Sequence, residues 1–364
     1  MSNERLKILI AAGGTGGHVF PALAIADEIK KLRSNAEFLF VGTKGKIESR
    51  VVPQRGYALT YIWISGLHRS VRLDNLLFPI KVIVSLVQSF FLIKRFQPGI
   101  VVGTGGYVCG PVLFVASMLG LPTVIHESNS FPGITTRMLS TRVTRLYTAF
   151  SATAHWLKQK DNIELAGTPT RDVLGTVSRE DGIRFFNLDP LKKTLFVFGG
   201  SLGAASINDA VRSFVHDFID SHIQLIWQTG KSDEQLAKEM AAMNNCRVYT
   251  FIDRMEYAYA AADMVVCRAG ATTLAELTRL GKASVLIPYP HAAADHQTHN
   301  AMTLADAGAA VMIADRDVKM HLKDVIHSIM NDDKKRILMN EASRAIGKPN
   351  AGREIAQRIL ELVK

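Results

Sequence analysis

Cysteine is scarce in this chain of 364 residues: there are three, Cys109, Cys246 and Cys267, far apart and without a C-x-x-C pair. That excludes a disulfide framework. With no cleavable signal pattern at Met1 to Lys7, it predicts a reducing, cytosolic setting. Long apolar runs are missing too. The most apolar segment, Leu73 to Phe96, is interrupted by Pro79, Lys81 and Gln88, and falls short of the roughly twenty apolar residues that cross a bilayer. The full G-x-x-x-x-G-K-S/T of a Walker loop is absent, which weakens ATP hydrolysis. A dinucleotide fingerprint fails twice: Val19 stands where its third glycine belongs, and Gly42-Thr43-Lys44 follows the second strand where a ribose-binding acid is expected. His291, His296 and His299 match no H-E-x-x-H spacing and no acidic cluster completes them, so no metal is expected. Asp315-Arg316-Asp317 is the one D-x-D weighed as a metal motif.

What is present is a repeated strand and glycine turn. Ile8 to Ala12 is an apolar run that ends in Gly13-Gly14-Thr15-Gly16-Gly17-His18, and Val19 to Lys30 follows with helical spacing. Glycines let a ligand approach the backbone, and bared amides at a helix start favour an anion such as phosphate. The turn recurs after Thr194 to Phe198 as Gly199-Gly200-Ser201-Leu202-Gly203-Ala204, and a third, Gly103-Thr104-Gly105-Gly106-Tyr107, follows Ile100 to Val102. Three such turns at strand ends point to a phosphorylated ligand. The length exceeds what one core usually serves, and two copies half a chain apart predict two similar α/β domains. A net charge of +10 and a pI near 9.5 imply an anionic partner.

In chain order, strands alternate with helices throughout. Expected strands are 37–41, 57–64, 100–102, 122–126, 145–150, 194–198, 223–227, 248–252, 263–267 and 283–287, and Ile163 to Arg171, with Gly167 and Pro169, reads as a linker. Leu73 to Phe96 has two readings. It is a core helix, or its start (Leu73, Leu76, Leu77, Phe78) is an apolar patch that Arg69, Arg72 and Lys81 seat on an anionic membrane. His18 is either a packed cap or a general base near neutral pH. Glu276 is either the far end of a capping box from Thr273 or a ribose ligand in the first turn of a site helix.

Gly13 to His18, Gly103 to Pro111, His126-Glu127-Ser128-Asn129, Gly199 to Ala204, Cys267-Arg-Ala-Gly-Ala-Thr-Thr-Leu-Ala-Glu276 and Asp295-His-Gln-Thr-His-Asn300-Ala together resemble the MurG family of peptidoglycan N-acetylglucosaminyltransferases. The resemblance covers nearly the whole chain in order. It implies an α/β fold of two Rossmann-like domains facing across a cleft (GT-B): 1–165 for the acceptor and the membrane, 166–348 for the UDP-sugar, and 349–364 a helix crossing back. It also implies inverting transfer of N-acetylglucosamine from UDP-N-acetylglucosamine to the 4-hydroxyl of the muramoyl sugar of an undecaprenyl-diphosphate-linked pentapeptide. The site would lie peripherally on the cytoplasmic face of the bacterial plasma membrane, with cell-wall or division proteins as further partners and no cofactor.

Residue by residue, the resemblance gives the donor Arg171 and Ser201 (diphosphate), Ile252 (uracil), Glu276 (ribose), and Gln297 and Asn300 (sugar). Thr15, Gly16, Gly17 and Asn129 would reach it from the first domain. Gly13, Gly14, Gly105, Gly106 and Tyr107 would hold the acceptor's diphosphate. His18 is the expected base, with Glu127 and His126 behind it. Thr168 departs from the family pattern, which more often has Asn there. Two rivals remain at this point: a UDP-N-acetylglucosamine 2-epimerase of the same architecture, and a nucleic-acid binder, for which no motif is found.

Overall fold

The computed structural model describes residues 5–66, 77–218, 222–240, 243 and 245–363. The expectations for Arg69, Arg72, Leu73 and Leu76 lie outside these residues. The chain divides into two compact units, Met1–Thr170 with Pro349–Lys364, and Arg171–Lys348.

In the first unit the order is β1 (Lys7–Ala11), α1 (Gly16–Leu32), β2 (Glu37–Gly42), α2 (Glu48–Gln54), β3 (Ala58–Tyr61), α3 (Phe78–Phe96), β4 (Ile100–Gly103), α4 (Cys109–Met118), β5 (Thr123–Glu127), α5 (Ile134–Leu139), β6 (Arg145–Thr148) and β7 (Ile163–Leu165). Among the described residues these strands form one parallel sheet, ordered β3-β2-β1-β4-β5-β6-β7. Ile8 to Ala11 has no solvent exposure because helices cover both faces, which is why β1 reads as an unbroken apolar run rather than an alternating one. Ile163–Leu165, read as linker from Gly167 and Pro169 beyond it, is instead edge strand β7 beside β6. Three residues with a central Glu164 carry too short a pattern to announce a strand.

The second unit repeats the plan with α6 (Arg179–Phe185), β8 (Lys193–Phe198), α7 (Ala205–Phe214), β9 (Ile223–Gln228), α8 (Glu234–Met240), β10 (Cys246–Tyr249), α9 (Met255–Ala261), β11 (Met264–Cys267), α10 (Ala271–Leu280), β12 (Ser284–Leu286), α11 (His296–Asp306), β13 (Ala310–Met312), α12 (Val318–Met330) and α13 (Asp333–Ile346). Its parallel sheet runs β10-β9-β8-β11-β12-β13. The last helix, α14 (Ala351–Glu361), belongs to the first unit. Its Ile355, Ala356 and Ile359 are fully buried in one cluster with Ala22, Ile25, Ala26 and Ile29 of α1, and Arg358 pairs with Glu164 of β7.

In both sheets the strand order reverses beside the first strand of the unit, between β1 and β4 and between β8 and β11. Connections to either side leave opposite helix layers there. The carboxyl ends of these strands therefore open a crevice, the place where doubly wound sheets bind ligands. The glycine turns fall at these ends.

Helix α3 divides the two readings of its segment. Ser85, Ser89 and Ile93, four residues apart, are buried on the side packed against α4. The hydroxyls are satisfied inside the helix, Ser85 by Val82 O at 2.8 Å and Ser89 by Ser85 O at 2.7 Å. The opposite side presents Ile80, Ile83, Val87, Phe90 and Phe91 to solvent. The buried side thus carries two polar residues, because small serines let two helices approach closely.

Candidate active site

In the first unit, the turns after β1 and β4 meet around His18. A side chain on Gly106 would lie 2.3 Å from Gly13 O, and one on Gly105 would lie 2.5 Å from the His18 ring. Both glycines also have positive φ, 85° and 113°, so no other residue type suits these positions. Their absent side chains make room for the imidazole and for the first turn. His18 sits in the first turn of α1, with Nδ1 3.2 Å from Gly13 O and 3.3 Å from Thr15 Oγ1. Nδ1–H donation to the Gly13 carbonyl assigns the tautomer whose Nε2 carries the lone pair, the form a general base needs. Thr104 Oγ1 donates to His18 O at 2.7 Å and ties the two turns together.

Glu48, which no motif marked, governs this turn. It is fully buried. Its Oε2 accepts from Gly14 N at 3.0 Å, and its Oε1 accepts from Thr43 N at 3.0 Å and Thr43 Oγ1 at 2.9 Å. A Cβ on Gly13 would stand 2.6 Å from Glu48 Oε1 and one on Gly42 2.6 Å from Glu48 Cγ. Two glycines therefore serve to admit this carboxylate. The Gly14 amide, expected to hold a diphosphate, is engaged from inside by Glu48. The signal available in the sequence was only a lone acid after a strand.

Cys109 closes the other turn. Its thiol approaches Ala11 O and Gly105 O at 3.0 Å and accepts from Gly105 N at 3.2 Å, and burial pushes its pKa up to about 12. Tyr107 is exposed and lies so close over Gly66 that a Cβ there would be 2.1 Å from its ring.

The residues named as reserve bases are structural in this geometry. Glu127 Oε1 accepts from Asn129 N (3.1 Å) and Nδ2 (3.2 Å), and Oε2 accepts from Gly133 N (3.1 Å) and Thr136 Oγ1 (2.6 Å). Four donors fill the acceptor sites of a carboxylate, so Glu127 shapes the loop that carries Asn129. His126 is buried; its Nε2–H donates to Gly167 O at 2.9 Å, and burial lowers its pKa below 6.5. It remains neutral and anchors the chain near Thr168.

In the second unit, Gly199 to Ala204 rises from β8 with Gly200 and Gly203 at φ 98° and 90°. Gly203 passes so close to Thr229 O that a Cβ would lie 2.1 Å away. Gln228, buried and unmarked in the sequence, ties the turn that carries Ser201 to the predicted uracil position: its Nε2 donates to Gly200 O at 3.0 Å, and its Oε1 accepts from Ile252 N at 2.9 Å. Gln297 and Asn300 sit in the first turns of α11, with Gln297 Oε1 accepting from Tyr289 N at 2.9 Å and Asn300 Nδ2 donating to Ala269 O at 3.3 Å.

Helix α10 overturns the capping-box reading of Glu276 and moves the residue out of the helix's first turn. It begins at Ala271 with Gly270 as its N-cap, and neither Thr273 nor Glu276 caps it. Thr273 is already inside the helix and Glu276 lies in its second turn, because the extended Gly270 starts the helix earlier than the hydroxyl pattern implied. Glu276 is instead nearly buried between two partners. Its Oε1 accepts from Arg171 Nε at 3.2 Å and Nη2 at 3.0 Å, and its Oε2 accepts from Tyr259 Oη at 2.9 Å. The two residues expected on the diphosphate and the ribose are thus bonded to each other.

Asp315 is engaged in an ion pair with Arg268 and accepts from Ser206 Oγ at 2.6 Å. Arg268 also reaches Pro288 O at 3.1 Å and lies over the Tyr289 ring at 5.6 Å. The D-x-D carboxylate therefore braces the loop beyond β12. Among the described residues, no three His, Cys, Asp or Glu side chains are grouped to hold a metal.

Residues 8–148 match the description of a glycosyltransferase family 28 N-terminal domain, and residues 194–359 that of a family 28 C-terminal domain. The chain belongs to glycosyltransferase family 28. The second family 28 match runs on into α14, which packs in the first unit. Among relatives, a UDP-N-acetylglucosamine--N-acetylmuramyl-(pentapeptide) pyrophosphoryl-undecaprenol N-acetylglucosamine transferase of Flavobacterium psychrophilum is 40% identical over 363 residues, 99% of each chain. The protein of the same description from Chlorobaculum tepidum is 43% identical over 365 residues, 99% of this chain and 100% of its own. The crystal structure of Acinetobacter baumannii MurG is similar with a TM-score of 0.79 at 27% identity, covering 98% of this family 28 chain and all of its own. A UDP-N-acetylglucosamine 2-epimerase at 13% identity and a TM-score of 0.63 shares the fold alone.

Proposed function

We propose that this chain transfers N-acetylglucosamine from UDP-N-acetylglucosamine to the muramoyl sugar of the undecaprenyl-diphosphate-linked pentapeptide, converting lipid I to lipid II. The observation that carries this reading is likeness of about 40% identity along the entire length to proteins of that activity. In this reading the second unit takes the donor. Ser201 and Arg171 meet the diphosphate, Glu276 the ribose, Ile252 the uracil, and Gln297 and Asn300 the sugar. Donor binding then exchanges the Arg171–Glu276 pair for ligand contacts, guanidinium to diphosphate and carboxylate to ribose hydroxyls.

The first unit takes the acceptor, with His18 as base. His18 Nε2 accepts the proton of the 4-hydroxyl as that oxygen attacks the anomeric carbon from the face opposite UDP, which inverts the centre. Negative charge grows on the leaving UDP, and amides at the starts of α7 and α10 with Arg171 stabilise it. Gly105, Gly106 and Tyr107 remain candidates for the acceptor's diphosphate; Gly13 and Gly14 shape the turn that positions His18.

The acceptor's lipid tail stays in a bilayer, so the enzyme works peripherally at the cytoplasmic face of the membrane. No helix among the described residues is long and apolar enough to cross it. The exposed side of α3 supplies an apolar stripe, Ile80, Ile83, Val87 and Phe91. Lys81 lies near Trp63 and Lys94 over Phe90, cations suited to anionic headgroups. Cell-wall or division proteins would be further partners at that surface.

Incubation with labelled UDP-N-acetylglucosamine and a short-chain lipid acceptor tests the activity. Transfer of label to the acceptor is expected. Conversion of the donor without any acceptor would overturn it in favour of an epimerase.

A further inference from the structure

Tyr259 has no place in the reaction so far, yet its position is unusual. It lies on α9 with no solvent exposure. Its ring stands edge-on to Phe196 at 5.6 Å and to Phe198 at 6.1 Å, the aromatic residues of β8. Helix α6 clamps α9 from outside: a Cβ on Gly182 would lie 2.6 Å from Tyr257 O and 2.7 Å from Ala261 N. Only glycine permits that approach, so the phenol is mounted on a helix held on both sides.

The phenol gives its proton to Glu276 Oε2 at 2.9 Å. Burial first, then the charge of Glu276, holds its pKa well above 10, so it is a donor at every working pH. The other oxygen, Oε1, faces Arg171, whose side chain is 40% exposed. One oxygen of the carboxylate is thus fixed by a buried, immobile partner, and the other by an exchangeable one at the surface.

We propose that Tyr259 is a positioning residue for the nucleoside diphosphate: it pins Glu276 Oε2 so that Oε1 points to the ribose diol, the place Arg171 fills here. The inference rests on Glu276 as the ribose ligand. A carboxylate that accepts two vicinal hydroxyls must hold its plane toward them. Without the phenol, Oε2 turns to find another donor and the plane is lost. Tyr259 never touches the donor, so it governs affinity for a nucleotide with a ribose diol and leaves the chemical step alone.

The test compares binding of UDP and 2′,3′-dideoxy-UDP to wild type, Tyr259→Phe and Glu276→Gln by calorimetry, with kcat and donor KM measured beside it. Wild type should prefer UDP. Tyr259→Phe should bind UDP about tenfold more weakly, the scale of one hydrogen bond to a charged group, with dideoxy-UDP nearly unchanged and kcat within about twofold. The preference ratio is read inside each variant, so an equal loss for both nucleotides reports only weakened folding and overturns the proposal. So does a Tyr259→Phe ratio equal to that of wild type while Glu276→Gln loses it, which leaves the ribose reading standing. A wild type that binds both nucleotides alike removes the ribose reading itself, and the role of Tyr259 with it.

Discussion

Glu48→Gln is the most informative single change in the first unit. The side chain is fully buried and takes three donors, Gly14 N, Thr43 N and Thr43 Oγ1. Glutamine keeps the shape but has one acceptor oxygen in place of two. That oxygen can serve the Thr43 pair, which turns the amide NH2 toward the Gly14 N–H, donor against donor. A buried donor left without a partner costs about 1–3 kcal/mol, and the close contact adds to it, so a loss of about 2–3 kcal/mol is expected. For a unit of this size that is a fall of roughly 4–12 °C in Tm. The strain falls on Gly14, whose neighbour Gly13 holds His18 Nδ1. Turnover should therefore drop about tenfold, the effect of about 1.4 kcal/mol at the barrier, while donor KM stays near that of wild type. Thermal unfolding with steady-state kinetics on a short-chain acceptor measures both. A Glu48→Gln protein that melts and turns over as wild type does would show that Gly14 is held by something else.

His18→Ala should lower kcat by about 10²–10⁴-fold, the range for a positioned base, with UDP affinity hardly changed; near-normal kcat would make His18 a packing residue. Acid should destabilise the chain through His126. Its folded pKa is depressed below 6.5, so the unfolded chain binds the proton first and stability is lost as pH falls below about 6.5. His126→Gln, which keeps an N–H for Gly167 O, should show a smaller difference in Tm between pH 7.5 and 5.5 than wild type, and an equal difference would refute the assignment. EDTA should leave turnover intact, since a metal at Asp315 would first have to displace Arg268; activity lost in EDTA and restored by Mg²⁺ or Mn²⁺ would revive that motif. Ile83→Ser with Phe91→Ser, both highly exposed, should keep the melting temperature and the turnover of a short-chain acceptor but weaken sedimentation with anionic vesicles, most visibly at high salt, where the attraction of the remaining cations is screened; unchanged sedimentation would move the membrane contact elsewhere.

Much of this protein was legible from local pattern. Buried parallel strands read as apolar runs, and the glycine turns after β1, β4 and β8 read as turns, because each signal lies within a few consecutive residues. The succession of strand, turn and helix, given twice, dictates two doubly wound sheets. Packing partners distant in sequence stayed invisible. Glu48 is 34 residues from the Gly14 amide it holds, Arg171 is 105 residues from Glu276, and Tyr259 reaches Glu276 from another helix. No periodicity encodes such pairs; only chain crossings bring them together.

The same limit hid what these turn glycines accommodate within the fold. From the sequence, Gly13, Gly105 and Gly106 signify room for a phosphate, since a bare turn next to a helix start suits an anion. The tertiary structure shows what lies where their side chains would stand: the Glu48 carboxylate at Gly13, the His18 ring at Gly105 and the Gly13 carbonyl at Gly106. Likewise the helical period of α3 was plain, yet which face is buried depended on where α4 lies, and two small serines together with Ile93 occupy its buried face. The sequence by itself determined where most strands, turns and helices lie, the short edge strand β7 excepted. The folded chain alone decided which polar groups satisfy one another inside it, because a buried donor or acceptor takes whichever partner the packing brings within about 3 Å.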